Sequence, residues 1–380
     1  MASITLKGIT WDHPRGYDPL IAASAAYYEE KGIIVEWQKR SLTDFGDFSI
    51  ESLSEQYDLL ILDHPHCGVI AGTGCLVPLE EHLSDELFLL LKAQSAGPSF
   101  SSYSFQKHQW ALPIDAAFQC GSYRKDLLSD SIPKSWEEVF ALAHRLRSNG
   151  KYVGMALCPT DSLCAFLSLC NQFGAPIVMD SEELVPHKVG IEILGLMKRM
   201  CMEFHPNALD WNPIDLYDYM AQTDDIVYAP LAFNYTNYSR KGFRENRLVF
   251  TDSPNAKTVL GGAGIAVSSQ CKNSIEAVDY CYWVCSERVQ KDIYTVNNGQ
   301  PGNITCWMDP DANNLTDNFF QNTLQTLESA YVRPRYFGWP SFQEYLGRVL
   351  HKHLKNDIDP IVTLRQLQNS FNESKTLMYK

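Results

Sequence analysis

The chain has 380 residues, 45% hydrophobic, 20% charged and 12% aromatic, a globular composition too long for one ordinary core, so two lobes are expected. Its 45 acids outnumber its 32 bases, for a net charge of −13. A nucleic-acid partner, which requires a basic face, is therefore not expected, and neither is membrane insertion, because no apolar run reaches the roughly 20 residues that span a bilayer.

The opening Met-Ala-Ser-Ile-Thr-Leu-Lys-Gly lacks the apolar stretch and small-residue cleavage site of a signal peptide. As it stands the sequence reads as cytoplasmic, or as periplasmic or extracellular if a signal has been removed. The 11 cysteines are odd in number and show no pairing pattern, which suits a reducing compartment. Cys281 and Cys285 read as buried core thiols, and neither a metal site nor a cofactor is expected.

In chain order, Ile4–Thr10 reads as a first strand. Pro19–Lys31 has helical periodicity ending at Gly32. Ile33–Trp37 is a second strand, and Tyr57–Leu62 a third, apolar enough to be buried on both faces. This order predicts a parallel sheet with right-handed crossovers. Leu87–Leu91 reads as core helix. Trp110–Ile114 begins another strand-rich stretch, and Phe118–Tyr123 passes into the second lobe. Pro133–Ser148 is an amphipathic helix with Ser135 as N-cap and acids in its first turn. Tyr152–Leu157 is a strand, followed by helices from about Ser162 and over Val189–Met202. Asp225–Ala229 is a strand stopped by Pro230. Leu248–Thr251 and Gly264–Val267 are strands with a Gly261-Gly262 turn between them. From Ser274 the chain is mostly helical, with breaks at Asn297–Asn303 and Arg333–Pro340.

Two similar segments, Trp11-Asp12-His13-Pro14-Arg15-Gly16 and Asp63-His64-Pro65-His66-Cys67-Gly68, each follow a strand. Ligands of open α/β sheets sit beyond the carboxyl ends of parallel strands, so both segments should line one rim. Helix N-termini there offer N–H donors and a positive dipole end. Asp12 and Asp63 also suit plain turn or helix capping. Asp115 stands at a third strand end. Asn234 and Tyr235 lie in an aromatic, amide-rich loop suited to a polar ring ligand. Gln300 lies in the turn-dense loop Asn297–Asn303. Arg333 and Arg335 offer guanidiniums that could hold a carboxylate or phosphate or pair with acids. His13 and His64, with Asp12 and Asp63, are the candidate acid–base groups. Nucleophile-elbow, phosphate-loop, dinucleotide and zinc-protease motifs are absent from the sequence.

Taken in order, these segments resemble the family 1 extracellular solute-binding proteins of ABC importers, the branch that serves mainly sugar uptake. The resemblance rests on Tyr57-Asp58-Leu59-Leu60-Ile61-Leu62-Asp63, Cys75-Leu76-Val77-Pro78-Leu79, the crossing segment Ala111-Leu112-Pro113 through Tyr123-Arg124-Lys125-Asp126-Leu127-Leu128, Ile132-Pro133-Lys134-Ser135-Trp136-Glu137-Glu138, and Gly261-Gly262-Ala263-Gly264-Ile265-Ala266-Val267. The Trp-Asp-His-Pro-Arg-Gly opening is similar to that of a branch that starts without an export signal. The resemblance implies a two-lobed periplasmic-binding-protein-like type II α/β fold with a hinge and an interlobe cleft. One lobe would comprise residues 1–115 and about 260–312, the other about 116–259 and 313–380. Ligand would shift the population from open to closed. Carbohydrate is the implied ligand class, with Trp11, Asp12, Asp63, Asp115 and Tyr235 facing the cleft.

The expected protein is thus a bacterial monomer that binds a small polar solute for an ABC-transporter permease. Its ligand contacts are expected among Trp11, Asp12, His13, Arg15, Asp63, His64, His66, Asp115, Asn234, Tyr235, Gln300 and Arg335. The runner-up is a cytoplasmic enzyme on the same scaffold, using the cleft His and Asp residues. A third reading is a cytoplasmic sensor that reports ligand through lobe closure.

Overall fold

The structure, a computed structural model, describes residues 4–41 and 49–377. Its strands are β1 (Thr5–Trp11), β2 (Ile34–Arg40), β3 (Leu59–Leu62), β4 (Ser104–Phe105), β5 (His108–Gln109), β6 (Leu112–Tyr123), β7 (Tyr152–Val153), β8 (Ile226–Phe233), β9 (Val249–Thr251) and β10 (Leu260–Val267). The main sheet runs β2-β1-β3-β10-β6-β8-β7, with β9 also on β6. Strands β2, β1 and β3 are parallel, as their crossover helices require, whereas β10 returns antiparallel to β3.

Two lobes share this path. The first part of β6, Leu112–Phe118, pairs with β10, and its last part, Gln119–Tyr123, pairs with β8 and β9. One strand therefore belongs to both halves. In β3 the side chains alternate between two cores. Leu59 and Ile61 join the cluster of Leu6, Trp37, Ile265 and Tyr280, while Leu60 and Leu62 join that of Ile9, Ile70 and Ala266. Burial on both faces is why this strand reads as a continuous apolar run. The second lobe repeats the arrangement. Val227 and Leu231 of β8 pack with Phe166, Met197 and Leu346, and Ile226 and Ala232 pack with Phe118, Tyr217 and Trp307.

Several elements differ from the sequence-based expectation. Gly261-Gly262 is not a turn but part of β10. Gly262 has φ +94°, and a Cβ there would stand 2.4 Å from the Asp115 carbonyl and 2.9 Å from the Ala117 amide nitrogen. Glycine lets the two strands approach at the level of Asp115. Strand β8 does not stop at Pro230, because the β6–β8 register shifts between Cys120 and Ser122 and leaves the proline outside the regular ladder. The first long helix starts at Pro14, not Pro19, with His13 as its N-cap. Tyr152–Leu157 shortens to Tyr152–Val153, and its next helix starts at Pro159. The helix Asp85–Ala93 buries only Leu91, with Leu89 and Leu90 exposed, so it lies on the surface. All 11 cysteines are unbonded, with Cys281 and Cys285 buried as expected. No helix among the described residues is long and apolar enough to cross a membrane.

Gly262→Ala tests the crossing. The added Cβ meets rigid backbone at a positive φ, so urea unfolding should show a loss of about 2 kcal/mol or more.

Candidate functional site

Adjacent strands β1 and β3 end side by side, and each runs into an Asp-His-Pro turn. In the first turn the cap is His13, not Asp12. The His13 Nδ1 accepts the Arg15 amide at 3.0 Å, and Pro14 takes the first helical position, where no N–H is needed. Asp12 lies outside the group, exposed and paired with Lys39 at 2.7 Å. Trp11 is a core residue packed against Gly16, where any Cβ would strike the indole. In the second turn Asp63 caps its own 3-10 helix by accepting the His64 amide at 2.8 Å. His66 is buried in the same turn.

Arg15 joins the two lobes. Its Nε and Nη2 grip Asp115 of β6 at 2.8 and 2.5 Å, and its Nη1 donates to the Asn234 carbonyl at 2.7 Å. The ring of Tyr235 lies 4.6 Å from the guanidinium carbon and meets His13 edge-on at 4.8 Å. Burial pushes the Asp115 carboxyl upward against the pull of Arg15, while Asp115 raises Arg15 further despite its burial. Gln300 fastens the neighbouring backbone. It donates to the Ala116 carbonyl at 2.7 Å and to Asn234 Oδ1 at 2.9 Å, and accepts the Thr236 amide at 3.0 Å. Asn234 and Gln300 are thus spent largely on stitching β6, β8 and the 297–303 loop together.

The other carboxylate, Asp63, pairs with Arg333 at 2.5 Å. Burial pushes the Asp63 carboxyl up, but Arg333 and the His64 contact outweigh it and hold the group well below the usual carboxylate range. The second guanidinium of that segment, Arg335, has a different role and donates to the carbonyls of Ser101, Ser102 and Ser104 at 2.6, 3.0 and 2.7 Å. Burial, with Arg333 nearby, lowers His64 to about 4, and burial with Arg15 and Arg244 lowers His13 to about 3. Both imidazoles are therefore neutral at pH 7. With His13 Nδ1 occupied as an acceptor, its proton sits on Nε2.

Two further groups escaped the sequence reading. Tyr103 donates to the Leu62 carbonyl at 3.3 Å, and its hydroxyl feels the charges of Asp63, Asp115 and Arg333 together, so the two ion pairs share one neighbourhood. Asp161, in the first turn of the second-lobe helix Pro159–Gln172, is only 4% exposed. Its charge reaches Tyr235 on one side and, with Arg333 and Asp63, Cys164 on the other. Burial raises the Asp161 carboxyl to about 7, with Asp215 adding to the shift and the Cys158 thiol, 3.0 Å away, opposing it. An acid in a helix's first turn reads as an ordinary dipole partner, which hid it; no acidic partner pattern marks Tyr103 at all.

Two lobes thus share strand β6, and charged and aromatic groups from both meet near the ends of β1 and β3. Residues 22–311 match the bacterial extracellular solute-binding proteins. The chain belongs to that family. The family's fold recurs in solved structures that align over nearly the full length. An ABC-transporter solute-binding protein from Agrobacterium radiobacter K84, in complex with ribitol, is 19% identical, with 98% of each chain covered and a TM-score of 0.81. One from Thermotoga lettingae bound with α-D-tagatose is 19% identical, with 98% of this chain and 100% of that chain covered and a TM-score of 0.82. The GacH receptor of Streptomyces glaucescens, solved unliganded and with acarbose, is 14% identical, with 99% of each chain covered and a TM-score of 0.83. No curated protein matches the chain. At these identities the likeness shows the fold, that of the family's two-lobed receptors.

Chemically, the site supplies donors, acceptors and ring faces. His13 Nε2 and the Tyr235 hydroxyl suit hydroxyl-bearing ligands, and the carboxylates of Asp63 and Asp115 are fixed in place by arginines. Among the described residues one group has metal-ligand spacing, Glu80, Glu81 and His108, whose ligand atoms lie within 4.8 Å of one another. It lies apart from the site, and Glu80 already holds His108 Nδ1 and the Gln109 amide at 2.5 and 2.8 Å.

Two stability measurements check these assignments. Asp115→Asn leaves the buried Arg15 without its counter-charge and should cost about 3–5 kcal/mol in urea unfolding. Asp161 behaves oppositely. With its folded pKa raised to about 7, the stability contributed by its protonated form is complete below pH ~4 and is lost as pH rises to 7. Asp161→Asn should therefore raise Tm by a few degrees at pH 8 and leave it nearly unchanged at pH 4.

Proposed function

We propose that this protein captures a small polar solute of the sugar or polyol class between its lobes and delivers it to the permease of an ABC importer. The observation that carries the reading is the meeting of Tyr235 from one lobe with Arg15 and His13 from the other, at 4.6 and 4.8 Å, within a member of the solute-binding family. A ring face, neutral imidazole N–H groups and fixed carboxylates are the parts from which hydroxyl-rich ligands are recognised. The sugars and polyols bound by the structural neighbours are of the same class.

In this reading residues 1–115 with about 260–312 move against about 116–259 with 313–380, by bending where β6 and β10 cross. Ligand contacts are His13, His64, Asp63 and Tyr235 from the original set, with Tyr103 and Asp161 added. Arg15, Asp115, Asn234 and Gln300 act beneath them as the frame. In this reading the receptor works as a monomer, and the family's extracellular description supports a site of action outside the cytoplasmic membrane.

Isothermal titration against pentitols, hexitols, monosaccharides and short oligosaccharides tests this, with X-ray scattering to follow closure. At least one compound should bind with a Kd in the micromolar range or tighter and reduce the radius of gyration. Tyr235→Phe keeps the ring on Arg15 and removes the hydroxyl. It should weaken binding about tenfold with little change in Tm. Turnover of the bound compound would overturn the receptor reading.

A further inference from the structure

Arg15 and Arg333 are 4% and 5% exposed, but only one of these buried guanidiniums is saturated. Arg15 places Nε, Nη1 and Nη2 in hydrogen bonds within the protein. Arg333 uses Nη2 alone, on Asp63 Oδ2 at 2.5 Å. Its Nε is sealed from solvent and has no partner. Its Nη1 also makes no hydrogen bond among the described residues, and it is not one of the sealed atoms, so solvent touches it. The carboxylate beside it is open as well, the Asp63 side chain being 20% exposed.

Contacts place this pair at the candidate site. Gly264 of β10 pairs with Leu62 on one side and with Pro113 on the other, so Asp63 and Asp115 lie at about one level of the sheet, two strand spacings or ~10 Å apart. His64 Nδ1 stands 3.1 Å from Asp63 Oδ1 without hydrogen-bond geometry, and neither ring nitrogen has a partner. The Arg333 segment runs against the same turn, since a Cβ on Gly68 would strike the Arg335 carbonyl. Arg335 itself has no carboxylate partner among the described residues and donates only to carbonyls.

Resting on the solute-binding reading above, we propose that the captured solute carries an oxyanion, the carboxylate of a sugar acid or the phosphate of a sugar phosphate, and that Arg333 Nη1 receives it. The groups left unfilled at this point are mainly donors. Arg333 contributes the N–H groups of Nε and Nη1, while the neutral His64 ring adds one N–H and one lone pair, which cancel. Asp63 is already met by the His64 amide on Oδ1 and by Arg333 on Oδ2. A hydroxyl arriving here brings a proton that needs an acceptor, whereas an oxyanion only accepts. Two guanidiniums beside one carboxylate also leave positive charge uncompensated, and a guanidinium bonds a charged oxygen more strongly than a neutral one.

Titration calorimetry at pH 7.5 tests this with pairs built on one skeleton: glucose against glucuronate, glucitol against gluconate, and glucose against glucose 6-phosphate. The proteins are the wild type, Arg333→Lys and the double variant Asp63→Asn/Arg333→Met, with Tm reporting that each is folded. Lysine keeps the charge but loses the planar fork, and the double variant removes both charges together so that neither is stranded. The wild type should bind the acid of at least one pair about tenfold or more tighter than its neutral partner, and both variants should lose most of that preference. The first two pairs read a carboxylate and the third a phosphate. Neutral members that bind as tightly as their acids, or that bind alone, overturn the oxyanion and leave the receptor reading standing. A preference for acids unchanged in both variants overturns the role of Arg333. Failure of every compound here and in the wider sugar and polyol panel overturns the receptor reading too.

Discussion

Asp115 sits in the first part of a strand that belongs to two lobes, buried with its charge. The fold answers with Arg15, carried 100 residues away in sequence on the first turn of the opening helix. Because the same guanidinium also donates to the Asn234 carbonyl, one buried ion pair ties together the end of β1, the first part of β6 and the loop after β8. Breaking either partner would strand a charge in the interior, which is far costlier than losing a surface pair. The geometry of the mouth follows from this clamp. His13 is held by the Arg15 amide, and Tyr235 is held by the Arg15 guanidinium and the His13 ring.

The second constraint is steric. Strands β6 and β10 cross between lobes in close contact because Gly262 has no side chain to hold them apart. A hinge made of two paired strands can bend at a register irregularity, and β10 has one between Ala263 and Gly264, beside Asp115. The ion pair and this irregularity therefore lie at one level of the molecule.

Electrostatics then sets what the mouth can hold. Burial neutralises both imidazoles, and two arginines neutralise two carboxylates. Such a site offers neutral imidazoles, each with one N–H and one lone pair, for hydrogen bonding beside an aromatic ring. Asp161 is the exception, a carboxylate kept near its protonation point by burial. A protein that retains such a group gives up stability for it, as functional sites commonly do.

Local pattern was enough to read several parts. The buried strand at Leu59–Leu62, the Ser135 cap and the paired Asp-His-Pro turns show in the sequence because burial on both faces, capping and turn chemistry are properties of neighbouring residues. The family resemblance was also legible, being carried by short segments in order. What the sequence by itself could not show was partnership across the chain. Arg333 and Arg335 are two residues apart, yet one meets Asp63 and the other a set of carbonyls. Asp12 and Asp63 stand in similar turns, yet one reaches solvent and Lys39 while the other is held by a buried guanidinium. Gly261-Gly262 resembles a turn until Asp115 is brought against it. Tertiary structure decided these cases, because a side chain's charge state and role depend on what burial removes and which distant group replaces the lost water, and neither is encoded in local spacing.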